Sequence, residues 1–310
     1  MIHFIVNPHA RSGEALALWN ELENILNERH IEYIVHLTEY AGHAIKLADE
    51  LSRTASESCP ITIGIFGGDG TVNEVYNGIS TNHRYITLGY IPTGSGNDFA
   101  RGLSIPRDSK EALNALLKAA SFNSVEHGIA TNSSTTRKFA VSCGIGYDAD
   151  VTYRVYNSKL KKSLNKLKLG KLVYTVLGVL QVFISPKLSA HIVIDENTVI
   201  DTDCFYFASI NVLKYEGGGW PFALHADPSD GKLSVCMMHD TSRLSLIFNL
   251  LSCIFSKHEG RKGVSLYNCR QISIKLNQKT HSHTDGECFG EIDELTASAC
   301  DEEQFINVIC

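Results

Sequence analysis

An apolar run followed by a glycine turn is the feature of this 310-residue chain that most constrains its fold. Ile61–Phe66 is short, almost continuously apolar and rich in β-branched residues, which predicts a strand buried on both faces of a parallel sheet. Gly67-Gly68-Asp69-Gly70-Thr71 follows it, and Thr71 is placed to cap a helix that runs to Gly78. A strand, a glycine turn and a helix start together direct backbone N–H groups at an anion, so the stretch predicts a phosphate site.

A second glycine loop follows the next predicted strand. Tyr85–Ile91 is again apolar, and Pro92-Thr93-Gly94-Ser95-Gly96-Asn97-Asp98 comes directly after it. Neither loop has the spacing of a P-loop, and the first lacks the third glycine of a dinucleotide fingerprint. Loops at the carboxyl ends of neighbouring parallel strands meet where open α/β sheets bind nucleotides. The acids in these loops, above all Asp69, are candidates to hold a cation or to accept a proton.

The two halves of the chain differ in their periodicity. Alternation at 2–6 and 31–37, with helical patterns at 44–55, 72–80 and 109–120, predicts a doubly wound parallel α/β domain. From about residue 125 the pattern changes to short strands and turns, which predicts a mostly antiparallel β domain. We therefore predict a parallel α/β domain at 1–124, joined by a returning segment at about 291–310, and an antiparallel β domain at 125–290.

Both glycine loops and the segments around them resemble the diacylglycerol kinase catalytic domain family, closest to its soluble bacterial lipid kinases. The matching residues are Gly67-Gly68-Asp69-Gly70-Thr71-x-Asn73-Glu74 and Pro92-x-Gly94-x-x-Asn97-Asp98. The resemblance covers almost the whole chain and implies an ATP- and Mg²⁺-dependent kinase, whose active site lies in the cleft between an ATP-binding domain at 1–124 and a β-sandwich lipid-substrate domain at 125–290. It implies that the nucleotide is bound by Asn7, Gly13, Thr38, Gly67, Gly68, Asp69, Gly70, Thr71, Asn73, Glu74, Gly94, Ser95, Asn97 and Asp98.

The same resemblance implies a Mg²⁺ site and a set of catalytic carboxylates. Asp227, Asp230, the backbone of Lys232 and Asp98 would supply hard oxygen ligands, although on spacing alone Asp230-Gly231 is simply a turn. Glu126 stands where the family usually has an aspartate, which leaves its part in a metal network open. Glu287 is the candidate general base with Asp285 supporting it, and Asp69 is a rival for the same role.

Composition limits the partners. A net charge of −6 argues against general nucleic-acid binding. Residues 151–194 contain no acid, and the lysines from Lys159 to Lys171 would suit a peripheral contact with an anionic membrane. The longest apolar runs, 172–184 and 244–255, are too short to cross a bilayer and predict buried helices. We expect a cytoplasmic protein that is peripheral at the inner membrane surface, and relatives suggest a homodimer.

Three functions stay open on the sequence. The first is phosphorylation of a lipid hydroxyl, with diacylglycerol as the favoured acceptor and phosphatidic acid as the product. The second is a kinase for another lipid, such as a sphingoid base or phosphatidylglycerol. The third is a nucleotide-binding regulator that has lost catalysis, against which the retained acids at 69, 98, 230, 285 and 287 argue. NAD kinases share the first glycine motif, but the second loop and the terminal acids favour the lipid branch.

Overall fold

The structure is a computed structural model that describes residues 1–118, 122–157, 178 and 180–310. The segment Lys159–Lys171, predicted to contact the membrane, lies outside these described residues. The described residues form two sheets, one of six strands and one of nine. The predicted fold class, a parallel α/β domain followed by an antiparallel β-sandwich domain, is confirmed.

The six-stranded sheet has the order β2-β1-β3-β4-β15-β5. Its first four strands and β15 run parallel, and β5 is antiparallel to β15. The central strands are buried on both faces, as their apolar composition predicts. The strands are β1 (Ile2–Val6), β2 (Tyr33–Leu37), β3 (Ile61–Gly67), β4 (Ile86–Pro92), β5 (Phe122–Val125) and β15 (Ile306–Ile309). The helices between them are α1 (Ala15–Glu28), α2 (His43–Thr54), α3 (Asp69–Gly78), α4 (Asp98–Gly102) and α5 (Ser109–Lys118).

The nine-stranded sheet is folded into two layers. Two of its long strands, β10 (Thr198–Asn211) and β13 (Gln271–Thr284), each pair with β9 (Leu188–Ile194) at one end and with β8 (Ser142–Gly146) at the other. Each of the two carries a register shift between these pairings. These shifts bend the strands from one layer into the other. The strands are β6 (Gly128–Thr131), β7 (Thr136–Phe139), β8 (Ser142–Gly146), β9 (Leu188–Ile194), β10 (Thr198–Asn211), β11 (Leu233–His239), β12 (Val264–Cys269), β13 (Gln271–Thr284) and β14 (Glu287–Ala299). Among the described residues, the helices of this half include α6 (Tyr147–Asn157), the helical residues 180–184 and α7 (Arg243–Ile254).

The returning segment predicted at about 291–310 joins the first sheet through its last strand. Strand β14 belongs to the antiparallel sheet along its whole length, and β15 inserts between β4 and β5. The returning strand is therefore Ile306–Ile309, at the end of that segment. The alternating burial of β14 suits either sheet, so the period-2 pattern alone does not indicate which one it joins. The division of the chain into domains at residue 124 stays a prediction.

The prediction that residues 244–255 form a buried helix is wrong for half of its surface. Helix α7 buries Leu246, Leu250 and Cys253 against a small apolar cluster in the second half of the chain. Its other face leaves large apolar side chains exposed. A run that is apolar on every side does not indicate which face is covered, which is why periodicity failed here. Within the described residues, no helix is both long enough and apolar enough to span a bilayer.

Candidate active site

The two glycine loops lie side by side at the carboxyl edge of the parallel sheet. Gly67 pairs with Pro92 at the ends of β3 and β4, and the Thr93 N–H donates to the Gly67 carbonyl at 2.8 Å. A Cβ on Gly94 would lie 3.0 Å from the Cα of Gly68, so the two backbones approach at a distance that only glycine permits. The loops therefore form one continuous backbone surface rather than two separate turns.

Side chains of the second loop hold its shape. Asn97 adopts a left-handed conformation, with φ of 52°, and its Nδ2 donates to the Gly94 carbonyl at 2.9 Å. The Tyr90 hydroxyl, which is buried in the sheet, donates to Asn97 Oδ1 at 3.3 Å. Ser95 is exposed at the tip of the loop. Asn97 thus fixes the turn, while Ser95 is free to face a ligand.

Asp69 connects the two loops. Its carboxylate oxygens accept the backbone N–H groups of Asp98 and Phe99, each at 3.2 Å, and so cap the start of α4. Burial and the nearby Asp98 carboxylate raise the pKa of Asp69 to about 6. Thr71, predicted to cap α3, does not do so: Gly68 stands at the N-cap position without a side-chain bond. The Thr71 hydroxyl instead accepts a hydrogen bond from Asn7 Nδ2 at 3.2 Å.

Asp98 extends this connection into the second half of the chain. Its Oδ2 accepts the Gly218 N–H at 2.6 Å, and the Arg101 guanidinium lies 3.5 Å from its Oδ1. Burial raises the pKa of Asp98, although the Gly218 N–H and Arg101 oppose the rise. The glycine turn at 217–219 has positive φ at each residue. It therefore brings a backbone donor from the β domain against the glycine loops.

Asp285 ties the two halves together at another point. Its carboxylate accepts hydrogen bonds from Asn73 Nδ2 at 2.7 Å and from three consecutive backbone N–H groups at 2.8 to 3.0 Å, those of Ala140, Val141 and Ser142. Asp285 and Gly286 both have positive φ and form the two-residue turn between β13 and β14. The Asp285 carboxylate is thus fully used within the protein.

The next acid along the chain, Glu287, differs from Asp285 because its side chain is open to solvent. It is exposed, and a Cβ on Gly70 would lie only 3.3 Å from its Oε1. The turn therefore brings an acid from the β domain over the first turn of α3, beside the glycine loops. Of the predicted catalytic acids, Glu287 is the one whose side chain is both close to the loops and open to solvent.

Several other predicted nucleotide ligands line the same sheet edge. Asn7 and Thr38 follow directly on the paired residues Val6 and Leu37 at the ends of β1 and β2. Gly13 ends a short 3₁₀ helix with φ of 97°. Glu74 lies elsewhere: both of its oxygens accept backbone N–H groups at the start of α2, from Gly42 and Ala44. Glu74 therefore holds α2 in place and offers no free oxygen to a ligand.

Asn73 is committed in the same way. Besides its bond to Asp285, its Nδ2 donates to the Lys138 carbonyl at 3.0 Å. Asn77, one helical turn further on, exchanges hydrogen bonds with the backbone of Lys138. This face of α3 therefore joins the β domain instead of facing a nucleotide.

The predicted Mg²⁺ ligands do not all converge. Asp98, Asp227 and Asp230 form no group of three carboxylates within 4.8 Å in the part of the chain that the structure describes. Asp227 Oδ1 accepts the Ser229 N–H and hydroxyl, and Asp230 Oδ1 accepts the Lys232 N–H at 2.9 Å. Asp98 is turned towards Gly218, as described above. The loop at 227–232 is thus an oxygen-rich turn separate from Asp98.

Glu126 belongs to that turn. Its backbone N–H donates to the Pro228 carbonyl at 2.8 Å, and its buried carboxylate has no hydrogen bond of standard geometry among the described residues. Burial, Asp230 and Asp227 raise the pKa of Glu126 to about 8, against the opposing effect of the Gly231 N–H. Its two buried oxygens lack standard hydrogen bonds and lie near two aspartates, although these three carboxylates form no group of ligand atoms within 4.8 Å among the described residues.

A second polar cluster, which the sequence did not indicate, lies deeper in the β domain. Asp148, Glu216 and His283 each place one polar atom within 4.8 Å of the others. His283 Nε2 lies 3.2 Å from Asp148 Oδ2, and Glu216 accepts the Ser209 hydroxyl at 2.8 Å. Burial and the Asp148 charge raise the pKa of Glu216 to about 7, although His283 opposes the rise.

Asp148 and Glu216 of this cluster line an apolar cavity. The walls come from α6, α7, the 216–222 loop and the helical residues 180–184, and include Val151, Val182, Trp220, Phe222, Ile247, Leu250 and Leu251. Glu216 and Gly217 line it at the end nearest Gly218, whose N–H binds Asp98. The cavity therefore ends beside the glycine loops.

Sequence reasoning indicates these residues only in part. His281 and His283 lie two residues apart on β13 and bind different partners: His281 contacts Asp150 at 2.6 Å and His283 contacts Asp148. The Asp148-x-Asp150 spacing was the available signal. Glu216 could not be found, because its neighbours come from strands that are distant in sequence.

Comparison with known proteins agrees with this arrangement. Residues 1–126 match the diacylglycerol kinase catalytic domain, and residues 141–302 match the YegS C-terminal NAD kinase beta sandwich-like domain. These matches cover the two halves that the two sheets define. The chain belongs to the diacylglycerol kinase catalytic domain family, in the form that carries the YegS-type C-terminal domain.

Individual relatives cover the chain almost completely. A Bacillus subtilis (strain 168) protein named "Putative lipid kinase YtlR" is 29% identical over 93% of both chains. The "Diacylglycerol kinase" of the same strain is 26% identical over 85% of this chain and 86% of its own. The crystal structure of "a putative diacylglycerol kinase from Bacillus anthracis str. Sterne" covers 99% of this chain and 96% of its own, with a TM-score of 0.78 and 23% identity. This last similarity concerns the fold.

Proposed function

We propose that this protein is an ATP- and Mg²⁺-dependent lipid kinase that phosphorylates a lipid hydroxyl, with diacylglycerol as the favoured acceptor. The observation that carries the proposal is the position of Glu287. An exposed carboxylate from the β domain lies over Gly70, where the backbone of two glycine loops is open to a phosphate. Phosphoryl transfer depends mainly on positioning and charge neutralisation, which this arrangement supplies.

The glycine loops and α3 would receive the nucleotide. The free backbone N–H groups around Gly68 and Gly70 and the positive end of the ten-residue helix α3 favour phosphate oxygens. Ser95 adds an exposed hydroxyl, and Thr38 and Asn7 line the same edge. Glu287 would accept the proton of the lipid hydroxyl while the hydroxyl oxygen attacks the terminal phosphorus, and the bond from that phosphorus to the bridging oxygen breaks so that ADP leaves.

The turn at 227–232 and Glu126 fit the magnesium ion that the family implies. Glu126 has two buried oxygens without standard hydrogen bonds, and Asp227 and Asp230 retain acceptor capacity beside it. Mg²⁺ bound there would neutralise these acids and stabilise the loop next to β5. Glutamate in place of the usual aspartate still supplies the carboxylate.

The apolar cavity favours a lipid over a water-soluble acceptor. Its walls are mostly apolar, its polar lining includes Asp148 and Glu216, and Glu216 and Gly217 lead to Gly218, whose N–H binds Asp98 beside the glycine loops. A molecule with a hydroxyl on an apolar body matches this gradient of polarity. The relatives named as lipid or diacylglycerol kinases support the same acceptor class.

The proposal is tested by transfer of labelled phosphate from γ-labelled ATP to purified lipids in mixed micelles with Mg²⁺. Diacylglycerol, a sphingoid base and phosphatidylglycerol are offered separately. We expect labelled phosphatidic acid from the wild type and a loss of at least about a hundredfold in Glu287→Gln, because general-base catalysis contributes about 10²–10⁴. Glu294→Gln, an exposed acid on the same strand, is the matched control and retains activity.

Each other outcome has a defined meaning. A labelled product from another lipid, dependent on Glu287, would identify a kinase of the second class. Full activity in Glu287→Gln would remove this residue as the base and leave Asp69 in its place. Binding of ATP without transfer to any lipid would favour the regulator, the third function that the sequence leaves open.

A further inference from the structure

Helix α7 carries a stripe of exposed apolar side chains along its outer face. Leu244, Phe248 and Phe255 are 64%, 62% and 71% exposed, and Leu251 and Ile254 complete the stripe. The spacing of four, three, three and one residues keeps these side chains on one side of the helix and its C-terminal end. The opposite side is buried in the β domain, so the outer stripe is not needed to hold the helix in place.

A second exposed apolar group lies beside the start of this helix. Residues 180–184 are helical where described, and Leu180, Phe183 and Ile184 are all exposed. The Arg243 guanidinium donates to the carbonyls of Phe183 and Ser185, which fastens this segment to α7. The two groups together form what we call the apolar face, defined by Leu180, Phe183, Ile184, Leu244, Phe248, Leu251, Ile254 and Phe255. Isolated exposed apolar residues are ordinary, but a contiguous set of eight marks an interaction surface.

The two stretches of sequence that carry the apolar face are mostly basic. The stretches 178–188 and 241–263 contain five basic residues and one acid, although the whole chain has a net charge of −6. The basic residues are Lys187, Arg243, Lys257, Arg261 and Lys262. The acid, Glu259, is already paired with His225 at 2.9 Å. A positive rim around an apolar centre is complementary to a lipid surface that carries negative head groups.

The apolar face is also continuous with the cavity of the candidate site. Leu251 belongs to the exposed stripe and to the cavity wall, and its neighbours Ile247 and Leu250 line the same wall. An apolar molecule could thus pass from this face into the cavity along one helix. No such continuity is needed for a contact between protein subunits.

We propose that the apolar face docks on a bilayer that contains anionic lipid. Phe248 and Phe255 enter the interface between head groups and acyl chains, and the basic rim contacts the phosphates. The use of this contact for lipid delivery rests on the function proposed above, but the contact itself is independent of catalysis. The negative charge that the basic rim contacts is carried by lipid head groups and not by free phosphate.

The test measures binding of the full-length protein to sedimented vesicles without ATP. The vesicles are made of phosphatidylcholine alone or of an equimolar mixture with phosphatidylglycerol. We expect the wild type to bind the anionic vesicles more tightly, and F248S/F255S to lose at least about tenfold in partitioning, because each buried phenylalanine contributes about that factor. Phe122→Ser is the matched control, because Phe122 is a similarly exposed phenylalanine on β5.

Three outcomes would overturn the proposal. These are no binding of the wild type to anionic vesicles, equal binding by F248S/F255S, or an equal loss in Phe122→Ser. A change from dimer to monomer in F248S/F255S without loss of vesicle binding would assign the face to a second copy of the chain. Phosphate transfer to a water-soluble short-chain diacylglycerol is measured in parallel: its persistence in F248S/F255S shows that the variant is folded and separates failed docking from failed catalysis.

Discussion

Two carboxylates in this site are placed in opposite environments. Asp69 is largely enclosed and accepts two backbone N–H groups, whereas Glu287 is exposed and points at the first turn of α3. The sequence motif indicated that both belong to the site. It could not indicate which one is free, because that depends on α4, whose N–H groups occupy Asp69, and on the β13–β14 turn, which presents Glu287.

The enclosed Asp69 predicts a gain of stability when its charge is removed. Its pKa is about 6 in the folded protein against 3.8 ordinarily, so the folded state binds the proton more tightly than the unfolded state does. Stability therefore falls as the pH rises from about 4 to about 6, by up to about 3 kcal/mol. Asp69→Asn avoids this loss but also loses one backbone hydrogen bond, and we expect a net gain of about 1–2 kcal/mol above pH 6.

The measurement is urea unfolding of wild type and Asp69→Asn in EDTA across this pH range. The gain should shrink as the pH falls towards 4, where the wild-type carboxyl is protonated as well. A variant that is less stable than the wild type at neutral pH would contradict the raised pKa. Asp49→Asn is the control, since Arg53 and the Ser80 hydroxyl lower the pKa of that acid and its neutralisation should give no gain.

At the scale of elements, helix α3 joins the two halves of the protein. Its start faces the glycine loops, and Asn73 and Asn77, four residues apart on one side, bind the Lys138 backbone of β7. The tight turn between β13 and β14 reaches the same place through Asp285. The sequence predicted the helix and assigned Asn73 to the nucleotide; it could not show a bond to Asp285, which is 212 residues away.

Asp285→Ala should therefore damage the fold and not only the chemistry. The change leaves three backbone N–H groups and Asn73 without their shared acceptor, which costs about 3 kcal/mol or more in the free energy of unfolding. Urea unfolding followed by near-ultraviolet circular dichroism measures the loss. Asp293→Ala, an exposed acid on β14, should leave stability within about 0.5 kcal/mol of wild type. Equal stability of the two variants would remove the proposed role of Asp285 in joining the domains.

We expect magnesium to stabilise the protein by binding at the turn 227–232, and we expect this stabilisation to depend on Glu126. Mg²⁺ should raise the thermal midpoint of the wild type, because it binds the folded turn and not the unfolded chain. Since the pKa of Glu126 is about 8, binding releases a proton, and the effect of Mg²⁺ should be larger above that pH than below it. Glu126→Gln should abolish the shift, and Glu302→Gln, an exposed acid, should preserve it. A full shift in Glu126→Gln would place the ion elsewhere.

For the molecule as a whole, local sequence patterns were sufficient to predict the fold class. They were insufficient to predict which distant segments of the chain pack against each other. Continuous apolar strands and glycine turns predicted the parallel sheet and its functional edge, because those features depend on neighbours in sequence. The membership of β14, the exposed side of α7 and the Asp148–Glu216–His283 cluster depend on contacts between distant segments. Hydrophobic periodicity does not indicate which element of the protein packs on a given face of a helix or strand.

The position of β15 has a consequence for how the protein is made. Residues 306–309 lie between β4 and β5 in the first sheet, so that sheet cannot close when its own first 125 residues leave the ribosome. The edge of β4 stays open until the whole β domain has been synthesised. The β domain is thus synthesised before the first domain is complete. The carboxyl edge of the first sheet, which carries the glycine loops, can reach its final shape only afterwards. A chaperone that shields the open edge of β4 would act during this interval.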